Sequence, residues 1–424
     1  MDHAVPAEQT RSIYHNRYAQ SIQRPFRPPL GGRHGLADNR RVTPSEPAAA
    51  AAPPVQLVET ADALQQLAAD LAQAPALAVD TEANSLFAYR ERVCLIQIST
   101  PATDAIVDPL RVPDLRPLQA LFASPRQQKV FHAAEYDLIG LGRDFGFEFA
   151  NLFDTMVAAR TLGRPQTGLA PLLEAHFGLK VNKKHQRANW GHRPLTADQL
   201  EYARQDTRHL FALRDLLEAE LAAAGRREEA YEEFARLARL RPPPAPAPDP
   251  HAFWRVSGAR DLTPAQAGIL RELFTYREAQ AQRADVPPFK VIGDATLIEI
   301  AARGPQAPAD LTAIPGMTEG QIRRHGESLL AAVRRGAAAP PVRPPRPALE
   351  PDDVRDRYER LRVWRKRKAQ ERGVESDVIL PREALWELAR RTPRTPEELE
   401  TLEHVGPWRR GQYGAELLRL LRGA

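Results

Sequence analysis

Cysteine is almost absent from this chain, with one residue, Cys94, in 424. A single thiol excludes an internal disulfide framework and a cysteine-built zinc site, and it suits a reducing compartment. Long apolar runs are missing as well. No window approaches the roughly 18 uninterrupted apolar residues of a membrane-spanning helix, and the first residues lack the apolar segment and cleavage site of a secretory signal. The expectation is a cytoplasmic protein with no membrane partner. No G-x-x-x-x-G-K-[ST] stretch is present to cradle nucleotide phosphates, which removes a helicase.

Base and proline are what the chain has in excess. Lys and Arg number 59 against 54 Asp and Glu, a formal charge of +5. That surplus points toward polyanions and makes nucleic acid the first partner to test. Proline supplies 39 residues, about twice its usual share of roughly 5%. Of these, 20 fall within residues 1–54, 241–250 and 340–351, and chain so rich in proline builds neither sheet ladders nor helix interiors. At roughly 150 residues per domain the length predicts about three domains. The expected order is a disordered basic Pro/Arg/Ala tail at 1–54, an α/β domain at 55–240 and a linker at 241–251. A helical module at 252–336, a second linker at 337–351 and a second module at 352–424 follow.

Within the α/β domain, short β-branched runs at 76–80, 93–99, 105–107 and 129–132 read as strands. Apolar residues recur at helical spacing over 114–123, 135–145, 154–162, 168–176 and 197–223. The pattern predicts a mixed central sheet flanked by helices. Asp62 and Thr196 stand where N-caps stand, and Gly163 and Gly178 where helices close. The two all-α modules repeat each other. A shift of 88 residues without a gap superposes Leu273 on Leu361, Tyr276 on Trp364, Arg277 on Arg365, Leu297 on Leu385 and Pro305 on Pro393, as expected of one duplicated helical bundle.

Chemistry concentrates in three places. In AVDTEA, Asp80 and Glu82 lie two apart on a strand, hence on one face and about 6.6 Å apart along the chain. Crowded acids of this kind repel unless a cation sits between them, and all-oxygen ligands suit Mg²⁺ or Mn²⁺. In FHAAEYD, the strand ending at His132 turns into a helix carrying Asp137. In EYARQD, Tyr202 and Asp206 are four apart and share a helix face. Asp154, in FDT, leads a helix and reads as its cap rather than as a further ligand.

This order of motifs in one α/β domain resembles the tyrosine-bearing branch of the DEDD exonuclease superfamily, on a ribonuclease-H-like fold, and is most similar to the ribonuclease D family. CLIQIS at 94–99, NKKHQRANW at 182–190 and RPLTADQLEYARQD at 193–206 carry the likeness. The two repeats resemble the HRDC modules that follow the nuclease domain in that family. Where the family has Ser-Asp-Trp, this chain has Ala188, Asn189 and Trp190.

The resemblance implies two divalent ions, Mg²⁺ or Mn²⁺, one held by Asp80, Glu82 and Asp206, the other by Asp80 and Asp137. Tyr202 would aim the attacking water. Asn84, Ser85, Leu86 and Phe87 would hold the terminal nucleotide, and His132 would contact nucleic acid beside the site. The implied substrate is RNA with a free 3′ end, transfer RNA precursors in particular, trimmed to nucleoside 5′-monophosphates by a chain acting as a monomer. A DNA exonuclease and an inert nucleic-acid-binding module are the alternatives. In the second module, residues 360–372 hold seven Arg or Lys against one Glu. Leu361 and Trp364 are expected to face the core, leaving Arg362, Lys366 and Arg367 outside to meet phosphates.

Overall fold

The computed structural model describes residues 55–244, 247, 249–345 and 349–422. The tail at 1–54, with its expected disorder, lies outside the described residues. Among these residues no helix is long and apolar enough to cross a membrane.

Residues 55–240 fold around one mixed sheet of six strands, β1 (Gln56–Val58), β2 (Ala76–Ala83), β3 (Val93–Ser99), β4 (Asp104–Val107), β5 (Gln128–Phe131) and β6 (Leu152–Asp154), in the order β1-β4-β3-β2-β5-β6. The central strand β2 pairs antiparallel with β3 and parallel with β5. The sequence predicts the four inner strands. The edges β1 and β6 have three residues each, too few to display alternation, and form by pairing parallel to β4 and β5. β2 also continues past residue 80, because β3 pairs Thr81 with Ile96 and Glu82 with Leu95. Its first half is buried and its second half, from Asp80 onward, is half-buried. The apolar end thus anchors the strand while the acidic end emerges.

Eight helices surround the sheet: α1 (Ala61–Leu71), α2 (Arg116–Ala123), α3 (Glu135–Phe145), α4 (Thr155–Thr161), α5 (Leu169–Phe177), α6 (Ala197–Arg208), α7 (Leu210–Ala223) and α8 (Arg227–Ala238). Thr196 caps α6 in a reciprocal box with Gln199, and Gly178 closes α5 in the left-handed conformation. Thr60, not Asp62, caps α1; Asp62 sits inside the first turn. The single helix predicted over 197–223 breaks at His209. On one side Thr207 is bonded to Ser99 of β3 at 2.7 Å; on the other, Leu210, Leu213, Leu217 and Leu221 turn into the main core.

The remaining chain forms two helical modules. The first holds α9 (Pro264–Ala284), α10 (Pro288–Val291), α11 (Asp294–Arg303), α12 (Pro308–Leu311) and α13 (Glu319–Ala338); the second holds α14 (Asp352–Arg372), α15 (Ser376–Ile379), α16 (Arg382–Arg391), α17 (Pro396–Glu400) and α18 (Pro407–Arg422). The repeat extends to individual contacts. Arg277 donates to the carbonyl of Ile292 at 3.4 Å, and Arg365 to that of Leu380 at 3.0 Å. Tyr276 meets His325 at 6.0 Å and 74°, and Trp364 meets Tyr413 at 5.5 Å and 81°. Each module buries its own core.

The second module is bolted to α8. Arg372 forks onto both carboxylate oxygens of Glu229 at 2.7 and 2.5 Å, and Arg409 reaches Glu232 at 2.7 Å. Gly406 lets the backbone come this close, since a Cβ there would fall 2.1 Å from the Glu232 carboxyl carbon. The first module touches the turn that follows β2, where the Tyr89 hydroxyl bonds Glu278 at 3.2 Å.

Candidate active site

The acids of the site arrive from three elements. β2 presents Asp80 and Glu82 on one face, the face on which Leu95, Gln97 and Ser99 of β3 are their register partners and neighbours. α6 lies over that face, fixed by the bond between Ser99 and Thr207 and by Ala203 packing with Leu95 and Trp190. This placement brings Asp206 to the strand acids. One carboxylate oxygen each from Asp80, Glu82 and Asp206 lies within 4.8 Å of the others. Asp137 comes from the first turn of α3, is buried, and accepts a 2.5 Å hydrogen bond from the Thr81 hydroxyl.

Asp154 sets the position of that turn. Its carboxylate caps α4 by accepting from the backbone N–H groups of Met156 and Val157 at 2.8 and 3.1 Å, in accord with the cap reading. It also accepts from Ala133 and Ala134 at 3.1 and 2.7 Å. Two of these four backbone donors thus pin the β5–α3 junction, including Ala133 at φ 62°, to the end of β6. Asp154, an acid outside the cluster of Asp80, Glu82 and Asp206, thus fixes the start of the helix that carries Asp137.

Burial raises the pKa of all four site acids. Asp80 is pushed up to about 7, and Glu82, Asp137 and Asp206 are raised by burial first and by their fellow carboxylates next. No neighbouring Lys or Arg contributes to any of the four. Acids gathered without a counter-charge are stable only when protonated or when a cation joins them. A donor set made wholly of carboxylate oxygen suits a hard divalent ion, so the residues fit a metal. Gln97 adds to this. It faces Asp80 across the ladder, is fully buried, and has no partner at either end of its amide.

Tyr202 stands one turn before Asp206 on α6. Its ring meets His185 edge-on at 5.8 Å and 73° and lies 6.0 Å from Trp190. A cleft of about 130 Å³ opens beside it, lined by residues that include Asn182, His185 and Gln205.

The nucleic-acid candidates are placed less uniformly. Asn84 is buried, and its side chain accepts from the Arg92 N–H at 2.9 Å. Ser85 and Phe87 are half-buried and Leu86 is exposed. The His132 ring nitrogen is engaged by the Thr155 hydroxyl at 2.9 Å, and burial lowers its pKa to about 4, so it carries no charge for a phosphate at neutral pH. Arg362, Lys366 and Arg367 are exposed on α14, with Leu361 and Trp364 buried beneath them. Arg362 pairs with Glu359 at 2.7 Å and Arg367 with Glu371 at 3.6 Å. Sequence reasoning passed over Thr81, Gln97 and His185. A polar residue inside the apolar run CLIQIS is the signal that marks Gln97; the other two declare themselves only through tertiary contact.

A family model described as 3′-5′ exonuclease matches residues 55–222, and one described as the HRDC domain matches 266–333 and 354–421. The ribonuclease D of Acidiphilium cryptum is 31% identical over 373 residues, which cover 87% of this chain and 93% of that protein. The crystal structure of Escherichia coli RNase D, an exoribonuclease involved in structured RNA processing, superposes with a TM-score of 0.62 at 26% identity, over 87% of this chain and 99% of that one. The catalytic core of RRP6 from Trypanosoma brucei superposes with a TM-score of 0.61 at 31% identity, over 67% of this chain and 80% of that one.

Proposed function

We propose that this chain, which belongs to the ribonuclease D family of 3′-5′ exoribonucleases, trims the 3′ ends of structured RNA, transfer RNA precursors among them, with two divalent ions, Mg²⁺ or Mn²⁺. The observation that carries the reading is the meeting of Asp80, Glu82 and Asp206 within 4.8 Å, with no Lys or Arg among the groups that shift them. In this reading Asp80, Glu82 and Asp206 hold one ion, and Asp80 and Asp137 hold the other. When bound, such ions acidify water and neutralise charge that builds on a scissile phosphate. The Tyr202 phenol aims the attacking water by hydrogen bonding. Asn84 and Ser85 bond the terminal sugar and base, while Leu86 and Phe87 offer faces on which any base can stack. His132 borders this pocket as a neutral group, and Arg362, Lys366 and Arg367 meet phosphates farther along the RNA.

The chain acts as a cytoplasmic monomer in this reading, with the nuclease domain at 55–240 followed by modules at 252–336 and 352–424. A 3′-extended transfer RNA tests it. The expected result is stepwise shortening with release of nucleoside 5′-monophosphates, arrest by EDTA, recovery with Mg²⁺ or Mn²⁺, and no product from Asp80→Asn. Release of internal fragments, or equal degradation of a matched DNA strand, would overturn it.

A further inference from the structure

One edge of the first helical module is unlike its counterpart in the second. Shifted by 88 residues, Phe289 and Lys290 correspond to Asp377 and Val378. In the second module this edge is spent on the protein itself: Asp377 pairs with Arg160 of α4 at 2.6 Å, and Val378 is buried. In the first module the same edge leaves Phe289 exposed over 55% of its surface, one of the largest exposed apolar side chains among the described residues.

That edge comes to rest on the turn that follows the catalytic strand. The Asn84 carbonyl accepts from the N–H groups of Phe87 and Ala88 at 2.8 and 3.0 Å, which closes the turn and leaves Leu86 40% exposed at its crest. Asp285, at the left-handed end of α9, accepts from the Tyr89 N–H at 3.2 Å. Five residues later, the Lys290 ammonium stands 4.2 Å from the centre of the Phe87 ring. Gly191 lies against Asn84 of this turn and follows Trp190, whose ring is 6.0 Å from that of Tyr202.

Single exposed apolar residues are commonplace. A half-buried aromatic with a cation over its face, next to an exposed leucine and met by a lysine whose chain neighbour is an exposed phenylalanine, is a different composition. It combines flat faces for bases with a positive charge for phosphates, the two elements of sequence-neutral single-strand binding. We infer that Phe289 and Lys290 form, against the Leu86–Phe87 turn that holds the terminal nucleotide, a ledge that binds the single-stranded RNA immediately upstream of it, so that the first module is part of the substrate site. This rests on the exoribonuclease reading above.

The test uses the full chain. Binding of a short oligoadenylate is measured without metal over a range of salt, and turnover of a nitrophenyl ester of a nucleoside monophosphate, which reaches only the pocket, is measured with metal. Phe289→Ala is expected to weaken oligoadenylate binding roughly tenfold, as loss of one base stack does. Lys290→Ala is expected to lower the slope of log K against log salt by about 0.7, one single-strand phosphate contact, and Lys290→Arg to restore it. Ester turnover is expected to change far less than oligoadenylate affinity does. Unchanged affinity and slope in a series whose wild type trims RNA overturn the ledge alone, and so does an equal loss of ester turnover, which would mean that the pocket itself had been distorted. A wild type that leaves RNA intact overturns the exoribonuclease reading and the ledge with it.

Discussion

Two groups of buried and half-buried acids in this chain are treated in opposite ways. Where the second module meets α8, every deep acid has a guanidinium: Glu229, 1% exposed, takes both arms of Arg372, and Glu232 takes Arg409. Asp108, inside the nuclease domain, is matched by Arg193 at 2.5 Å in the same fashion. At the acidic end of β2, four carboxylates crowd one another with no basic side chain to offset them. With 59 Lys and Arg available, the shortage is local. Acids that serve packing are matched by the chain, and acids left unmatched are those whose counter-charge comes from outside.

Charge removal should therefore have opposite consequences in the two places. Asp80→Asn is expected to lower RNA trimming by about a thousandfold or more, a loss of at least ~4 kcal/mol of transition-state stabilisation. The same change relieves repulsion, so the unfolding midpoint of the metal-free protein should hold or rise. A variant that unfolds early, or one that trims normally, breaks the contrast at its strongest point. Glu229→Ala inverts the pattern. It strands Arg372 at the seam, and denaturant unfolding should register a loss of about 3 kcal/mol, with hydrogen exchange rising first in the second module. Turnover of a small nucleotide ester should change little, because no seam residue touches the carboxylate cluster.

How far the sequence carries this contrast differs between its two halves. The cluster is legible because strand and helix periodicities place Asp80 with Glu82, and Tyr202 with Asp206, by local geometry alone, and the family motifs supply the meeting of the pairs. The cap role of Asp154 is legible for the same reason: it is a local bond. The seam is not legible. Glu229 and Glu232 lie in REEAYEEFARLA, beyond the last helix that periodicity predicts in this domain, and Arg372 and Arg409 reach them from a distant module. Edge strands of three residues, the break at His209 and the capping of α1 by Thr60 escape for a related cause. Each is decided by a tertiary partner or by a one-residue shift that periodicity does not resolve.

Metal ions offer a third comparison. If the cluster is the place that awaits a cation, Mg²⁺ or Mn²⁺ at about a hundred times its dissociation constant should stabilise the folded chain by about 2.7 kcal/mol. The gain is read as a rise in unfolding midpoint. It should persist in Glu229→Ala and vanish in Asp206→Asn. An equal rise in both variants would locate the ions elsewhere.

The smallest effect is the slope with pH, and it separates acids that hold protons from acids that hold guanidinium. The raised site carboxyls keep protons that an unfolded chain, with carboxyl values near about 4, has already released. Between that value and the about 7 of Asp80 the folded state binds more protons than the unfolded one. Stability of the metal-free protein is therefore fullest below the unfolded value and falls as pH rises through this window, with the Asp80 share lost once pH has passed its folded value. Ion binding must run the other way, since an ion displaces those protons. Affinity for Mg²⁺ or Mn²⁺ should tighten by up to about tenfold per pH unit for each proton displaced, the Asp80 contribution levelling off above about 7. Calorimetric titrations from about pH 5 to about pH 8 give both slopes in one protein. Flat lines for stability and for affinity would mean that the four acids are already ionised and matched, and the distinction between site and seam would disappear.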